Sequence, residues 1–144
     1  MNDIIWAINP RNDNWSHVID RLQNYASRTT QSKNIALQFA ADDEVRHIPV
    51  RMGDRKNLYL ICKEAINNAI KYSECRNLLV TVKKETHHLR ACIRDDGKGF
   101  NAGHSHDGNG LKNMRKRASD MQAKFDLVSH TGSGTEVTIQ ISLS

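Results

Sequence analysis

The chain has 144 residues, of which 38% are hydrophobic and 26% charged, as in an ordinary globular domain with a single core. No apolar run approaches the roughly 20 residues of a membrane-spanning helix. The three cysteines form no CxxC pair, which fits buried thiols and disfavours both disulfides and a structural zinc site. The formal net charge of +5 suits a polyanionic partner, but the basic residues are scattered, so a nucleic-acid-binding surface is disfavoured.

The first half of the chain predicts two amphipathic helices separated by a strand. Apolar residues recur at helical spacing from Trp15 to about Thr29. A strand is predicted from Ile35, where the sequence "IALQFAA" alternates. The longest helical pattern then runs from Met52 to Ser73.

The second half predicts four strands and one further helix. The strands "LLVTVKK" from Leu78 and "HLRACIRD" from His88 precede a helix from Leu111 to Gln122. A hairpin follows, in which "KFDLVSH" and "TEVTIQISL" flank the turn "TGSG". The element order predicts an α/β two-layer sandwich: a mixed, mostly antiparallel sheet of about five strands, covered on one face by about three helices. A Rossmann fold is disfavoured because strict βαβ alternation is missing.

Three polar residues border the apolar stripe of the long helix. At about 100° per residue, Glu64, Asn68 and Lys71 lie on one side of that helix. A carboxylate, an amide and an ammonium at this position would line the edge of a cleft. The alternative is an ordinary solvent-exposed face, on which each side-chain pair contributes only about 0.2–0.5 kcal/mol.

Glycine is concentrated in "RDDGKGFNAGHSHDGNGL", which follows the predicted strand that starts at His88. Asp95 ends that strand, a position from which a carboxylate can meet a ligand. Gly97 and Gly99 remove side chains where the backbone turns, so a flat ligand could approach closely. A long surface turn that needs glycine only for positive φ is the alternative.

The second glycine pair, Gly108 and Gly110, precedes the third helix, whose first amides could receive phosphate oxygens. Together the two pairs predict a hinged polar loop, Asn101 to Asp107, over a binding site. His104 and His106 lie in this loop, but no third metal ligand occurs at suitable spacing, so they are interpreted as solvated.

Four motifs in order resemble the catalytic, ATP-binding domain of bacterial sensor histidine kinases, a branch of the GHKL ATPases with the Bergerat fold. The chain resembles the family's N box in "KEAINNAIKYS", its G1 box in "DDGKGF", its G2 box in "GNGLKNMRKRA" and its last glycine box in "TGSGTEV". The form of the G2 box resembles the nitrate-sensor-like subfamily. Because "DIIWAINPRND" resembles the segment that follows the dimerising phosphoacceptor domain, the resemblance implies a linker over residues 1–14 and the ATP-binding domain over 15–144.

The resemblance implies an adenine pocket around the G1 box. Asp95 would accept a hydrogen bond from the adenine amino group, which rejects guanine because guanine carries a carbonyl there. Gly97 and Gly99 would let the backbone approach the purine, and Thr135 would support the pocket. Asp96 stands where many relatives have Asn, without disturbing the role of Asp95.

The resemblance also implies a phosphate and metal site. Asn68 would ligate Mg²⁺, and Glu64 would polarise the nucleophile or orient a metal-bound water. Lys71 and Tyr72 would face the phosphates, although relatives commonly carry His at the position of Tyr72. Gly108, Gly110 and Leu111, at the end of the hinged polar loop, would complete the set of nucleotide-binding residues.

The implied function is phosphoryl transfer to a partner outside this chain. The domain would hold Mg·ATP and donate the γ-phosphoryl group to a histidine on a separate upstream dimerisation domain, with a response regulator downstream. His17 lies on the first predicted helix but lacks the acid that usually follows the acceptor, so the acceptor is expected elsewhere. The implied setting is a cytoplasmic domain of a membrane-anchored protein, with no membrane or nucleic-acid contact of its own.

Two alternatives stay open at this point. One is an anti-sigma-factor-type serine kinase, which shares the fold and the boxes; the linker-like "DIIWAINPRND" argues against it. The other is a nucleotide-binding regulatory module without transfer activity, and the presence of Glu64 and Asn68 argues against that.

Overall fold

The structure is a computed structural model that describes residues 15–49, 52–72, 74–99 and 108–143. Its helices are α1 (Ser16–Ser32), α2 (Asp43–Arg46), α3 (Met52–Tyr72) and α4 (Gly108–Asp120). Its strands are β1 (Ala36–Ala41), β2 (Asn77–Glu85), β3 (His88–Asp95), β4 (Lys124–His130) and β5 (Gly134–Ser142). None of these helices is both long and apolar enough to cross a membrane. The predicted linker over residues 1–14 and the predicted polar loop with its two histidines lie outside the described residues.

The strands form a single mixed sheet in the order β1-β2-β3-β5-β4. β1 pairs in parallel with β2, and the other neighbours pair antiparallel. The parallel pair arises because α2 and α3 connect β1 to β2, whereas short turns join β2 to β3 and β4 to β5. This sheet confirms the predicted mixed, mostly antiparallel arrangement.

One face of the sheet is apolar because side chains alternate along each strand. A row of register-paired residues crosses all the strands on this face: Phe39, Val80, Ile93, Val137 and Leu127. Apolar residues of α1, α3 and α4 join this face in one core. The next row along the strands points to the opposite face and is mostly polar: Thr81, Cys92, Thr138 and Asp126. The helices therefore cover one face, as predicted.

Helix α3 is central to the helical layer and packs against both α1 and α4. Leu58, Ile61, Ala65 and Ala69 are buried and repeat at three- and four-residue spacing, so they form the apolar stripe predicted from the sequence. The observed bounds, Met52–Tyr72, agree with the predicted helix to within one residue. This helix therefore carries its polar residues along the edges of a well-anchored stripe.

Two helix predictions need correction. α4 begins at Gly108 and not at Leu111, because the first turn of a helix makes no intrahelical N–H bonds and tolerates glycine. Gly108 and Gly110 are therefore inside the first turn instead of preceding the helix. Helix α2 is absent from the sequence prediction because four residues carry no helical period. An ion pair of 2.8 Å between Arg46 and Asp20 holds α2 against α1.

The cysteines are free thiols, as expected from their spacing. Cys62 and Cys75 are buried, whereas Cys92 is only half-buried. Burial raises the pKa of the Cys62 thiol to about 12. Because the thiolate is the reactive form, Cys62 behaves as an inert core residue.

Candidate functional site

A buried carboxylate lies at one end of the helix-covered face. Asp95 is the last residue of β3, and only 6% of it is exposed. Strand register places Leu78 of β2 on one side of it and Thr135 of β5 on the other, with Ser129 of β4 next to Thr135. The structure thus brings together Asp95 and Thr135, which the sequence assigns to one pocket from separate motifs.

Hydrogen bonds hold this row in place. Asp95 Oδ1 accepts a bond of 2.9 Å from the backbone N–H of Gly97, which turns the chain directly after β3. Ser129 Oγ lies 2.7 Å from Thr135 Oγ1 and donates to the Gly134 carbonyl oxygen at 3.3 Å. Ser129 is missing from the sequence-predicted site. Its signal is weak, since only the alternation of two strands across the hairpin places it beside Thr135.

Two glycines let the G1 loop pack against the β4–β5 turn. Gly134 has φ +83°, and a Cβ there would collide with the carbonyl oxygen of Asp95. Gly99 has φ +64°, and its Cβ would collide with the carbonyl oxygen of His130. The Gly132 N–H also donates to the Lys98 carbonyl. The glycine at 99 is therefore explained by close packing of two backbone segments.

Asp96 fastens the same loop to the start of β2. Its Oδ1 accepts bonds of 2.9 Å from the backbone N–H groups of Arg76 and Asn77, and its Oδ2 accepts one of 2.7 Å from Asn77 Nδ2. The side-chain bond from Asn77, followed by the backbone bond from the same residue, lowers the pKa of Asp96 below its usual value. Asp96 thus connects the segment after α3 to the strand end that carries Asp95.

Asp96→Asn is expected to lower the free energy of unfolding by about 1 kcal/mol near neutral pH, a modest figure because the cluster is exposed. An Asn keeps one acceptor but turns an NH₂ group toward Asn77 Nδ2. A carboxylate with a depressed pKa stabilises the fold above its unfolded pKa of about 3.9 and loses that contribution as the pH falls through its folded pKa. Urea unfolding at several pH values should therefore show parent and variant converging below about pH 4. A constant difference across that range would contradict this role.

The polar residues predicted on the long helix lie along its edge. Glu64 and Asn68 are half-buried and one turn apart on α3, and Lys71 is exposed near its end. Residues four apart lie on one helix face, so the carboxylate and the amide point in similar directions. Helix α3 also packs against β3, the strand that ends at Asp95.

A cavity of about 250 Å³ opens beside Glu64, between α1, α3 and α4. Leu60 and Met114 supply apolar parts of its wall, and the polar lining consists of Tyr25, Lys63, Glu64, Asn67, Asn113 and Arg117. Lys63 Nζ stands 5.3 Å from the centre of the Tyr25 ring, which links α3 to α1. Asn68 does not line this cavity, so Glu64 alone of the predicted pair reaches it.

The predicted phosphate-facing residues are only partly described. Tyr72 is the last residue of α3, and its side chain lies outside the described part. In the first turn of α4, Gly110 is buried and Leu111 is half-buried against the core. The N-terminus of an α-helix attracts anions through its dipole and its backbone amides, which suits a phosphate at the start of α4.

The donors on α3 fit a magnesium ion that is shared with a nucleotide. An amide oxygen and a carboxylate are hard oxygen ligands, and Mg²⁺ in proteins commonly takes only one or two such ligands and completes its shell with water and substrate phosphates. The described residues contain no group of three His, Cys, Asp or Glu residues able to hold a metal by itself. Asn68 and Glu64 would supply only part of the shell of such an ion, and water and phosphate oxygens would supply the rest.

Sequence comparison identifies the family that these features belong to. Residues 53–144, from the start of α3 to the end of the chain, match the family described as histidine kinase-, DNA gyrase B- and HSP90-like ATPases. The chain belongs to this family. The matched region contains the polar edge of α3, the buried Asp95, the start of α4 and the glycine turn before β5, whereas Tyr25 in the cavity wall lies before it.

Two sensor proteins are among the sequence relatives of the chain. The chain is 34% identical over 102 residues to the sensor protein VraS of Staphylococcus epidermidis, and equally to VraS of Staphylococcus aureus. Each alignment covers 70% of this chain and 29% of the relative. The chain therefore spans less than a third of the length of these sensor proteins.

Solved histidine kinase structures share the ATPase fold. The catalytic domain of the histidine kinase ThkA superposes with a TM-score of 0.72 at 16% identity, covering 90% of this chain and 93% of that chain. The Acinetobacter baumannii histidine kinase AdeS gives a TM-score of 0.71 at 17% identity, and the match covers 92% of this chain and 66% of that chain. The histidine kinase domain of the Erythrobacter litoralis EL346 blue-light activated histidine kinase gives a TM-score of 0.69 at 22% identity, and the match covers 88% of this chain and 61% of that chain.

Family, relatives and fold together make the chain an ATP-binding catalytic domain of the sensor histidine kinase type. This confirms the resemblance stated from the four motifs. The nitrate-sensor-like subfamily stays a prediction.

Proposed function

We propose that this domain binds Mg·ATP and donates the γ-phosphoryl group to a histidine on a separate dimerisation domain. The buried carboxylate of Asp95 carries the proposal. A carboxylate that is 6% exposed at the end of a strand, beside a hydroxyl on the next strand, is arranged to accept hydrogen bonds from the edge of a purine. The Gly97 N–H donates to Asp95 Oδ1 and so holds this carboxylate in place at the end of the strand.

One group of residues would bind the adenine, and another would bind the phosphates and the magnesium ion. Asp95, with Gly97, Gly99 and Thr135 around it, would hold the adenine. Asn68 would hold the Mg²⁺ ion, which when bound neutralises phosphate charge, and Glu64 would orient a water on the ion or take a proton from the attacking nucleophile. The phosphates would lie near Lys71, Tyr72 and the start of α4, with contributions from Gly108, Gly110 and Leu111.

The attacking group would be an imidazole nitrogen. It forms a bond to the γ-phosphorus while the bond from that phosphorus to the β,γ-bridging oxygen breaks, so ADP leaves with the bonding electrons. Phosphoryl transfer depends mainly on positioning and on charge neutralisation. Because this chain offers no convincing acceptor histidine, we expect it to bind nucleotide well and to turn ATP over slowly when it is alone.

The partners follow from this assignment. We infer that residues 1–14 link an upstream dimerisation domain to the ATP-binding domain over 15–144, and that a response regulator receives the phosphoryl group afterwards. The relatives are sensor proteins several times the length of the aligned region, which supports a longer parent protein. We propose that this parent is anchored at a membrane and that the domain lies in the cytoplasm.

Titration calorimetry with ADP and a non-hydrolysable ATP analogue tests the proposal. We expect adenine nucleotides to bind more tightly with Mg²⁺ than without it, and GTP to bind at least about tenfold more weakly than ATP, because a lost or repulsive buried hydrogen bond costs about 1–3 kcal/mol. Failure to bind any nucleotide under these conditions would overturn the assignment.

A further inference from the structure

Beside the residues proposed to hold the purine lies a second hydroxyl, which the proposed nucleotide function does not use. Ser129 on the edge strand β4 is buried, with 5% of its surface exposed, and points to the helix-covered face. Its register partner is Thr135, whose own other neighbour is Asp95. The carboxylate and the two hydroxyls therefore form one line across three strands.

On distance alone, either hydroxyl could donate the bond between Ser129 and Thr135, but the second contact of Ser129 favours one direction. Its hydroxyl has one proton, and the Gly134 carbonyl oxygen at 3.3 Å can only accept. The bond of 2.7 Å to Thr135 Oγ1 must then be donated by Thr135 if both contacts are hydrogen bonds. In that arrangement the Thr135 proton is held by Ser129, and Thr135 turns oxygen lone pairs toward the pocket.

From this geometry we propose that Ser129 sets purine selectivity by keeping Thr135 Oγ1 a hydrogen-bond acceptor beside Asp95. The inference rests on the proposed nucleotide function. Adenine carries an NH₂ group at its six-position, which offers protons to both acceptors. Hypoxanthine and guanine carry a carbonyl oxygen there, and this oxygen meets the lone pairs of Thr135. Asp95 alone would discriminate less sharply between adenine and these two bases, because the N1–H of hypoxanthine or guanine can also donate to a carboxylate.

Ser129 is thus a positioning residue that acts through Thr135. In Ser129→Ala, the Thr135 hydroxyl is free to rotate and can donate to a six-position carbonyl. The ratio of the dissociation constants for IDP and ADP should then fall about fivefold to tenfold, mostly through tighter IDP binding. IDP is the suitable probe because it differs from ADP at the six-position and in the proton on N1 but lacks the 2-amino group of guanine.

Calorimetry or competition binding with IDP and ADP measures this ratio. Ser133→Ala is the matched control, since Ser133 is an exposed residue of the neighbouring turn, and it should keep the parent ratio. Thermal unfolding identifies variants that fold poorly. Thr135→Val provides a second variant: it should lower the ratio too, and adding Ser129→Ala to it should change the ratio no further.

Three results would overturn the inference: an unchanged ratio in Ser129→Ala, equal weakening of both nucleotides, or full additivity of the two substitutions. The first two assign Ser129 a purely structural role, and the third means that it does not act through Thr135. A parent chain that binds no nucleotide overturns the proposed function instead, so the two failures are distinguishable.

Discussion

Asp95→Asn is expected to weaken ADP binding about tenfold to hundredfold, since a buried hydrogen bond to a charged group contributes about 1.5–3 kcal/mol. The carboxylate has two oxygens, and Oδ1 already accepts from the Gly97 N–H. An Asn replaces one of the two acceptor oxygens with an NH₂ donor, and this donor would then face either the Gly97 N–H or the adenine amino group. Calorimetric titration with ADP measures the loss.

Asp126→Asn is the matched control for this substitution. Asp126 is an exposed carboxyl on β4, on the face of the sheet opposite to Asp95. The control removes the same charge from the chain without touching the pocket, so its ADP affinity should match that of the parent. If Asp95→Asn also binds ADP like the parent, the adenine is held elsewhere.

Asn68→Ala is expected to abolish most of the magnesium dependence of nucleotide binding. Losing one of the few protein oxygens on a hard cation should reduce the affinity gain from Mg²⁺ from about tenfold or more to less than about twofold. The rate of ATP hydrolysis by the chain should fall about 10²-fold or more, because the ion no longer stabilises the charge that moves during transfer. Binding of ADP without Mg²⁺ should stay close to that of the parent.

Asn67→Ala provides a control one residue away. Asn67 lies about 100° around α3 from Asn68 and lines the cavity between α1, α3 and α4. It is the same side chain on the same helix, so it reports any general effect on α3. We expect its magnesium dependence to resemble that of the parent, and an equal loss in both variants would remove the assignment of Asn68 as a metal ligand.

The elements with strong periodicity could be predicted from the sequence. α3 and β3 could be predicted because their apolar residues repeat over many positions. The prediction of a sandwich with helices on one face follows from the order of the predicted elements. α2 is too short to have a period. The start of α4 is obscured because Gly-Asn-Gly resembles a turn, although the first turn of a helix accepts it.

The residues of the candidate site also fall into those that a single sequence reveals and those that it does not. Residues within a motif, such as Asp95 with Gly97, are visible because their spacing is local. Ser129 and the contacts of Asp96 depend on which strands become neighbours, and a single sequence does not state that β5 lies between β3 and β4. The backbone packing that requires Gly99 likewise involves a turn far along the chain.

The central position of β5 has a consequence for the biosynthesis of the domain. The strand order places β5 between two strands that precede it in the sequence, so β3 and β4 are joined in one sheet only when β5 pairs with both. The chain emerges from the ribosome N-terminus first, and non-local strand pairing is slow to form. During translation, α1 to β4 can all be present while Thr135 is still missing beside Asp95. The proposed purine pocket is therefore complete only after β5 has been synthesised, and nascent chains that are released before β5 should be unable to retain nucleotide.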